Sequence, residues 1–155
     1  MAKQTKNDYL HKLKWVGMEK IVIPVSITTQ QGIKHSIASS NIFVSLDQEQ
    51  TKGIHMSRLY KLLNELHIHE LNPLVIKQTL AEAIESQQGI SEQARIDLSF
   101  DLILNKPALI SEQSGFQSYP IEIIALFDGQ DLTFKLKLTL CYSSTCPCSA
   151  SLSRQ

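Results

Sequence analysis

The sequence predicts an α+β domain, a mostly antiparallel sheet with two helices on one face. Three observations carry this. Apolar residues recur at period two toward both ends of the chain and at helical period between them. The strand-like runs are long and joined by turn signals rather than helical crossovers, which favours antiparallel pairing. The two helical segments adjoin each other, so they form one layer instead of alternating with strands.

The elements follow in order. Ile21, Ile23, Val25 and Ile27 alternate with Val22, Pro24, Ser26 and Thr28, as in a strand. Pro24 has no N–H to give to a ladder, so this strand is expected at an edge or beside a bulge. Gln30-Gln31-Gly32 turns the chain. Ile33, His35 and Ile37, then Ile42, Val44 and Leu46, make a second strand, and the slip near Ser39-Ser40-Asn41 implies a bulge there. Thr51-Lys52-Gly53 breaks the pattern, after which Met56, Leu59, Tyr60, Leu63 and Leu66 fall at helical spacing. Asn72-Pro73 opens a second helix. Asn accepts from first-turn amides, and Pro loses nothing at the first helical position. Ile76, Leu80, Ala83, Ile84 and Gln87 form its inner stripe, and Gly89 suits a left-handed stop.

Period two then returns. Ala94, Ile96, Leu98, Phe100, Leu102 and Leu104 point one way and Arg95, Asp97, Ser99 and Asp101 the other, a strand with one wet face. A loop holding Pro107, Gly115 and Pro120 is expected next. Ile121 to Phe127 and Leu132 to Leu140 form two strands about Asp128-Gly129, a hairpin signal. The outer side of the last strand, with Thr133, Lys135, Lys137 and Thr139, is polar. Such a sheet has open edges and is expected to pair with another copy or another domain.

The 155 residues are one domain's worth. Residues 1–14 are polar and read as a flexible N-terminus ahead of a single unit, 15–155. With 43% hydrophobic and 19% charged residues the chain is globular in composition. Fifteen Lys and Arg balance fifteen Asp and Glu, which leaves no electrostatic drive toward nucleic acid or an anionic membrane. The opening Met-Ala-Lys-Gln-Thr-Lys-Asn-Asp lacks the apolar centre of a signal peptide, and runs such as Ile123 to Phe127 are too short to span a bilayer. A soluble, cytoplasmic protein is expected.

All three cysteines lie in Cys-Tyr-Ser-Ser-Thr-Cys-Pro-Cys-Ser, residues 141–149. Cys141 ends an apolar alternation and is expected to be buried as a small hydrophobe. Cys146 and Cys148 are too close for an unstrained disulfide. A thiolate at a strand end, held by Pro147, suits a metal ligand or a reactive group, and a structural turn is the competing reading. His67 and His69 are either weak ligand candidates or side chains that complement a helix end. Lys52-Gly53-Ile54-His55-Met56-Ser57-Arg58-Leu59 opens the first helix. Backbone amides with His55, Ser57 and Arg58 suit an anion such as phosphate, against the plainer reading of a capping serine and a solvated arginine. Asp97 and Asp101 read as a solvated face. No glycine-rich phosphate loop, Ser-His-Asp signature or His-Glu-x-x-His occurs.

Three blocks, Trp15-Val16-Gly17-Met18-Glu19-Lys20-Ile21, Lys52 to Leu59, and Ser143-Ser144-Thr145-Cys146-Pro147-Cys148-Ser149, together resemble GTP cyclohydrolase I of type IB. They match the order and approximate spacing of that family's N-terminal half, so the resemblance covers nearly the whole chain. It implies a tunnelling fold, in the order strand-strand-helix-helix-strand-strand. It implies metal-assisted hydrolysis of GTP to 7,8-dihydroneopterin triphosphate and formate, the entry to folate and, in bacteria, queuosine. It implies that Cys146 is a metal ligand and catalytically essential, for a divalent ion such as Mn²⁺, Zn²⁺ or Fe²⁺. His55, Ser57 and Arg58 match a family signature, and by that resemblance they are expected to bind substrate, Arg58 at the triphosphate. Family members carry two tandem halves, and their remaining metal ligands would fall beyond Gln155. The implied partners are GTP and either a second copy or a C-terminal tunnelling-fold half. Two other functions compete: a non-catalytic tunnelling-fold subunit, and a metal- or redox-responsive protein using Cys146 and Cys148.

Overall fold

The computed structural model describes residues 15–47, 53–142 and 144. Strands β1 (Trp15–Thr29) and β2 (Gly32–Ser45) form a hairpin. Helix α1 (Met56–Glu65), a single 3-10 turn (Leu66–Ile68) and helix α2 (Pro73–Ser86) follow, then strands β3 (Ala94–Pro107), β4 (Ser114–Phe127) and β5 (Leu132–Leu138). The strands lie in one sheet in chain order, β1-β2-β3-β4-β5, and every neighbouring pair is antiparallel. The α+β class, the antiparallel sheet and the two helices are as the sequence periods predict. Three strands follow the helices, one more than the strand-strand ending that the resemblance implies.

The core lies between the helices and one sheet face. Ile23, Val25, Ile42, Val44, Ile96, Leu98 and Ile123 from the sheet meet Leu59 and Leu63 of α1 and Ile76, Leu80 and Ala83 of α2. Burying each large aliphatic side chain is worth about 2 kcal/mol. Asn72 caps α2 as its side chain predicts, its Oδ1 accepting from the Val75 N–H at 3.0 Å with Pro73 at the first helical position. The helix ends with two residues at positive φ, Gln88 at 55° and Gly89 at 85°, so the stop predicted at Gly89 begins one residue earlier.

Two expectations are corrected. The bulge belongs to β1 rather than β2: Met18 pairs with Ile42 and Ile21 with Ser40, so Glu19 and Lys20 together face Asn41. Lys20 takes φ 58°, and Asn41 Oδ1 accepts its N–H at 2.9 Å. Strand β2 itself keeps its alternation. Ala38, Ser40, Ile42 and Val44 face the core, while Ile33 and Ile37 lie on the exposed face. The apparent slip was apolar residues changing sides, with the inward Ser40 hydroxyl donating to the Ile21 carbonyl at 2.6 Å.

The expected loop around Pro107, Gly115 and Pro120 is mostly strand. Only residues 108–113 lie between β3 and β4. Pro120 pairs with Asp101, one residue beyond the last β4–β5 pair, Ile121 with Leu138. The Pro120 carbonyl still accepts the Thr139 N–H at 3.0 Å just past the end of β5, so the missing N–H of Pro120 faces the side where the ladder pairs stop, a place where it is tolerated. Pro24 sits on the edge strand β1, as predicted.

Two local features hold the sheet together. Gly17 lies against β2 so closely that a Cβ would stand 1.9 Å from the Ile42 carbonyl oxygen. The side-chain amide of Gln31 donates to the Asn105 carbonyl at 2.7 Å and accepts its N–H at 3.0 Å. These two bonds tie the β1–β2 turn to β3 beyond the ladder pairs of β2 and β3.

Candidate functional site

The segment entering α1 gathers three of the predicted site residues. Gly53 at φ 43° turns the chain, and His55 occupies the N-cap of α1 with φ −79° and ψ 81°. The His55 carbonyl accepts the Arg58 N–H at 3.1 Å, which closes the first turn. No side-chain cap bond forms, so the capping role offered by a serine near the helix start is not taken up by Ser57. His55, Ser57 and Arg58 are all exposed on this first turn. Residues three apart share a helix face, so His55 and Arg58 lie together.

A residue read from the sequence as plain core anchors this turn. Gln87, fully buried, accepts the His55 N–H on its Oε1 at 2.8 Å and donates from Nε2 to Ser86 Oγ at 2.9 Å. Arg58 Nη1 donates to the Ser86 carbonyl. The end of α2 thus fixes the start of α1. The sequence signal was present, since a glutamine on an apolar stripe must find hydrogen-bond partners when buried. It named no partner, because His55 lies 32 residues away.

The same end of the sheet carries a second anchor. Buried Ser45 Oγ accepts from the Glu92 and Gln93 amides at 3.1 and 2.9 Å, and Asp47 accepts the Glu92 N–H at 2.8 Å. The β4–β5 turn is adjacent, with Glu92 O 3.6 Å from where a Gly129 Cβ would stand. Gly129 has φ 92°, the left-handed geometry that the Asp128-Gly129 signal predicts. Asp128 Oδ1 accepts from the Asp131 and Gln130 amides at 2.8 and 3.0 Å. Those bonds, Asp131 first, hold the Asp128 carboxyl below its usual pKa.

The structure separates this turn from the start of the cysteine stretch. Strand β5 starts beside Phe127, at the end of the sheet near the α1 entrance, and leaves toward the other end, where Leu138 pairs with Ile121. Six residues of strand carry the chain about 20 Å. Cys146 and Cys148 lie outside the described residues. Cys141 is described and is exposed, which corrects the expectation that it is buried. It follows an edge strand whose helix-side residues Leu136 and Leu138 are themselves 62% and 49% exposed, so no core exists there for a thiol to join.

The two histidines of the pair have different surroundings. His67 Nδ1 bonds the Asn64 carbonyl, while His69 lines a groove of about 140 Å³ between the helices with Glu65 and Glu82. Among the described residues no three His, Cys, Asp or Glu side chains converge to hold a metal ion. No helix among them is long and apolar enough to cross a membrane.

Fold and site together define a two-layer α+β unit with an exposed helix entrance, rich in donors, at one end of an open-edged sheet. A family model described as type I GTP cyclohydrolase folE2 matches residues 2–155. The "GTP cyclohydrolase FolE2" of Hahella chejuensis is 43% identical over 156 residues, covering 100% of this chain and 51% of that protein. Proteins of the same name from Pseudoalteromonas atlantica and Xanthomonas axonopodis pv. citri are 45% and 44% identical over 146 and 145 residues. Each alignment covers 92% of this chain and 47% of the relative. The chain belongs to the type I GTP cyclohydrolase folE2 family, and it spans about half the length of the curated relatives it matches.

Proposed function

We propose that this chain is the N-terminal tunnelling-fold half of a cytoplasmic type IB GTP cyclohydrolase I, which converts GTP and water to 7,8-dihydroneopterin triphosphate and formate. The observation that carries the reading is the family match along residues 2–155, together with identities above 40% to proteins named for that activity. The described sheet and two-helix layer are compatible with the tunnelling fold.

In this reading the first turn of α1 meets the substrate. Arg58 offers its remaining guanidinium N–H groups to the triphosphate while one holds the Ser86 carbonyl, and His55 and Ser57 lie beside it as further polar contacts. The buried Gln87 keeps that turn in place. Cys146 supplies one thiolate to a divalent ion, Mn²⁺, Zn²⁺ or Fe²⁺, and such an ion would activate the water that attacks C8 of the purine. The described residues do not complete that ion's coordination, so the remaining ligands come from outside them.

The test is GTP turnover with Mn²⁺, followed by oxidation and pterin fluorescence. It is run on the 155-residue chain alone and on the chain joined to the remaining half of the Hahella chejuensis relative. The joined protein is expected to turn over and the chain alone to show little activity, because one or two thiolates do not close a coordination sphere. In the joined protein Cys146→Ala should abolish turnover and leave the melting temperature unchanged. Robust turnover by the chain alone, or by the joined Cys146→Ala protein, would refute the half-site assignment. A second reading, a non-catalytic tunnelling-fold subunit, draws on the absence of a three-ligand cluster among the described residues and predicts no turnover in either format.

A further inference from the structure

The sheet face turned away from the helices carries a cavity of about 270 Å³, lined by Trp15, Arg95, Ile124, Leu126, Thr133 and Lys135. The ladder places five of the six. Arg95, Leu126 and Thr133 stand side by side across β3, β4 and β5, and Ile124 and Lys135 are paired two residues further along. Their strand neighbours Ile96, Ile123 and Ala125 point into the core, so this set points away from it. Half-buried Trp15 reaches the cavity from β1.

The lining joins an indole and an apolar floor to unspent positive charge. Arg95 donates from Nε and Nη2 to the Asp97 carboxylate at 2.8 and 2.9 Å, and its guanidinium stands 6.0 Å from the centre of the Phe43 ring. Those contacts hold the guanidinium in place and balance its charge, while no described residue engages Nη1. Lys135 faces Ile124 across the ladder and makes no ion pair or hydrogen bond with any described residue. Lys137, on the same face of β5, is already paired with Glu122 at 3.0 Å. The cavity thus offers one unbalanced ammonium, one fixed guanidinium, the exposed Thr133 hydroxyl and an aromatic wall, and none of its lining residues is acidic.

We propose that this cavity binds a phosphorylated aromatic ring of mononucleotide size, with the ring against Trp15 and the phosphate among Lys135 Nζ, Arg95 Nη1 and the Thr133 hydroxyl. Three donor side chains match the oxygens of a phosphate better than the two of a carboxylate. The volume lies just below the span of about 300–1,000 Å³ usual for drug-sized ligands, which suits one ring system and one phosphate rather than a triphosphate chain. Stacking on an indole accepts any base, so no particular base is required. The site is separate from the first turn of α1, which belongs to the helix layer, and it does not depend on the activity proposed above.

Trp15 is the single tryptophan of the chain, so its fluorescence reports this cavity alone. The test titrates the full 155-residue chain with AMP, adenosine and inorganic phosphate, exciting at the red edge of the indole absorption, where the nucleotide does not absorb. AMP should quench Trp15 saturably, and adenosine and phosphate should each bind at least about tenfold more weakly, since each supplies half of the contacts. Lys135→Ala should weaken AMP about tenfold through loss of a charge-assisted hydrogen bond. Lys135→Arg should keep the affinity, and so should Lys137→Ala. The proposal is overturned if no saturable quench develops below about 10 mM AMP, or if Lys135→Ala binds as the wild type does. Equal binding of inorganic phosphate and AMP would overturn the role of the ring. Loss of the quench in Lys137→Ala would show general charge attraction, and its loss in Arg58→Ala would place the ligand at the α1 entrance; either would overturn the site.

Discussion

Gly17→Ala should unlock the first hairpin. An alanine Cβ would stand 1.9 Å from Ile42 O, 2.7 Å from Phe43 Cα and 2.8 Å from Ile42 C. All three are backbone atoms, so no side-chain rotation relieves the clash. Reaching ordinary contact near 3.5 Å requires β1 to move away by about 1.6 Å. The ladder N–H···O bonds flanking the Gly17–Phe43 pair would stretch from about 2.9 Å to beyond 4 Å, outside hydrogen-bond range. Losing two such bonds at about 1 kcal/mol each, with the packing of half-buried Trp15 and Met18, gives about 3 kcal/mol. Because β1 is an edge strand, the damage should stay in residues 15–18 and leave the register beyond the bulge intact. For a chain of this size, 3 kcal/mol lowers the melting temperature by about 10 °C. The assay is thermal unfolding by circular dichroism, with hydrogen exchange to localise the loss. Gly115→Ala, in a strand with no atom within 4 Å of the new Cβ and no positive φ, is the control and should change little. A Gly17→Ala protein that melts with the wild type would refute the reasoning.

Ser45→Ala removes the acceptor shared by the Glu92 and Gln93 amides at a buried site and should cost about 2 kcal/mol in urea unfolding. An unchanged urea midpoint would mean that Asp47 alone satisfies the turn. The Asp128 carboxyl is held below its unfolded value, so its contribution to stability is present above that value and is lost as the pH falls through the folded one. Stability measured from pH 7 downward should therefore decline less steeply in Asp128→Asn than in the wild type, and parallel curves would contradict this. Cys141→Ala should leave stability within about 0.5 kcal/mol, as expected of an exposed side chain. A large loss on calorimetry would restore the buried role that its sequence position suggested.

The asymmetry of the sheet has a physical origin in how the helices are placed. Two helices of 10 and 14 residues form one layer over a sheet of five strands. Strands β1 to β4 supply the buried sheet residues, while most of β5 projects past the cover. The exposed apolar residues there, and the exposed Ile33 and Ile37 on the opposite face of the β1–β2 hairpin, are surface that a folded unit rarely leaves in contact with water.

What the sequence determined by itself was local. The switch from period two to helical period and back set the elements. Asn72-Pro73 set the start of α2, Asp128-Gly129 the tight turn before β5, and Pro24 an edge position, because each depends on the backbone needs of a few adjacent residues. The tertiary structure decided everything that depends on which layer lies over a strand or which strand lies beside it. Ile37 and Cys141 carry the apolar signature of the core and are exposed, since no helix reaches them. Pro120 was read as loop and lies in β4, since the neighbouring strand ends before it. Gln87 was read as one more position on an inner stripe and instead holds the entrance of α1. Periodicity reports the side of an element on which a residue sits. Burial and hydrogen bonding depend on what occupies that side, and here the occupants come from sequence separations of 32 residues and more, which no local pattern encodes.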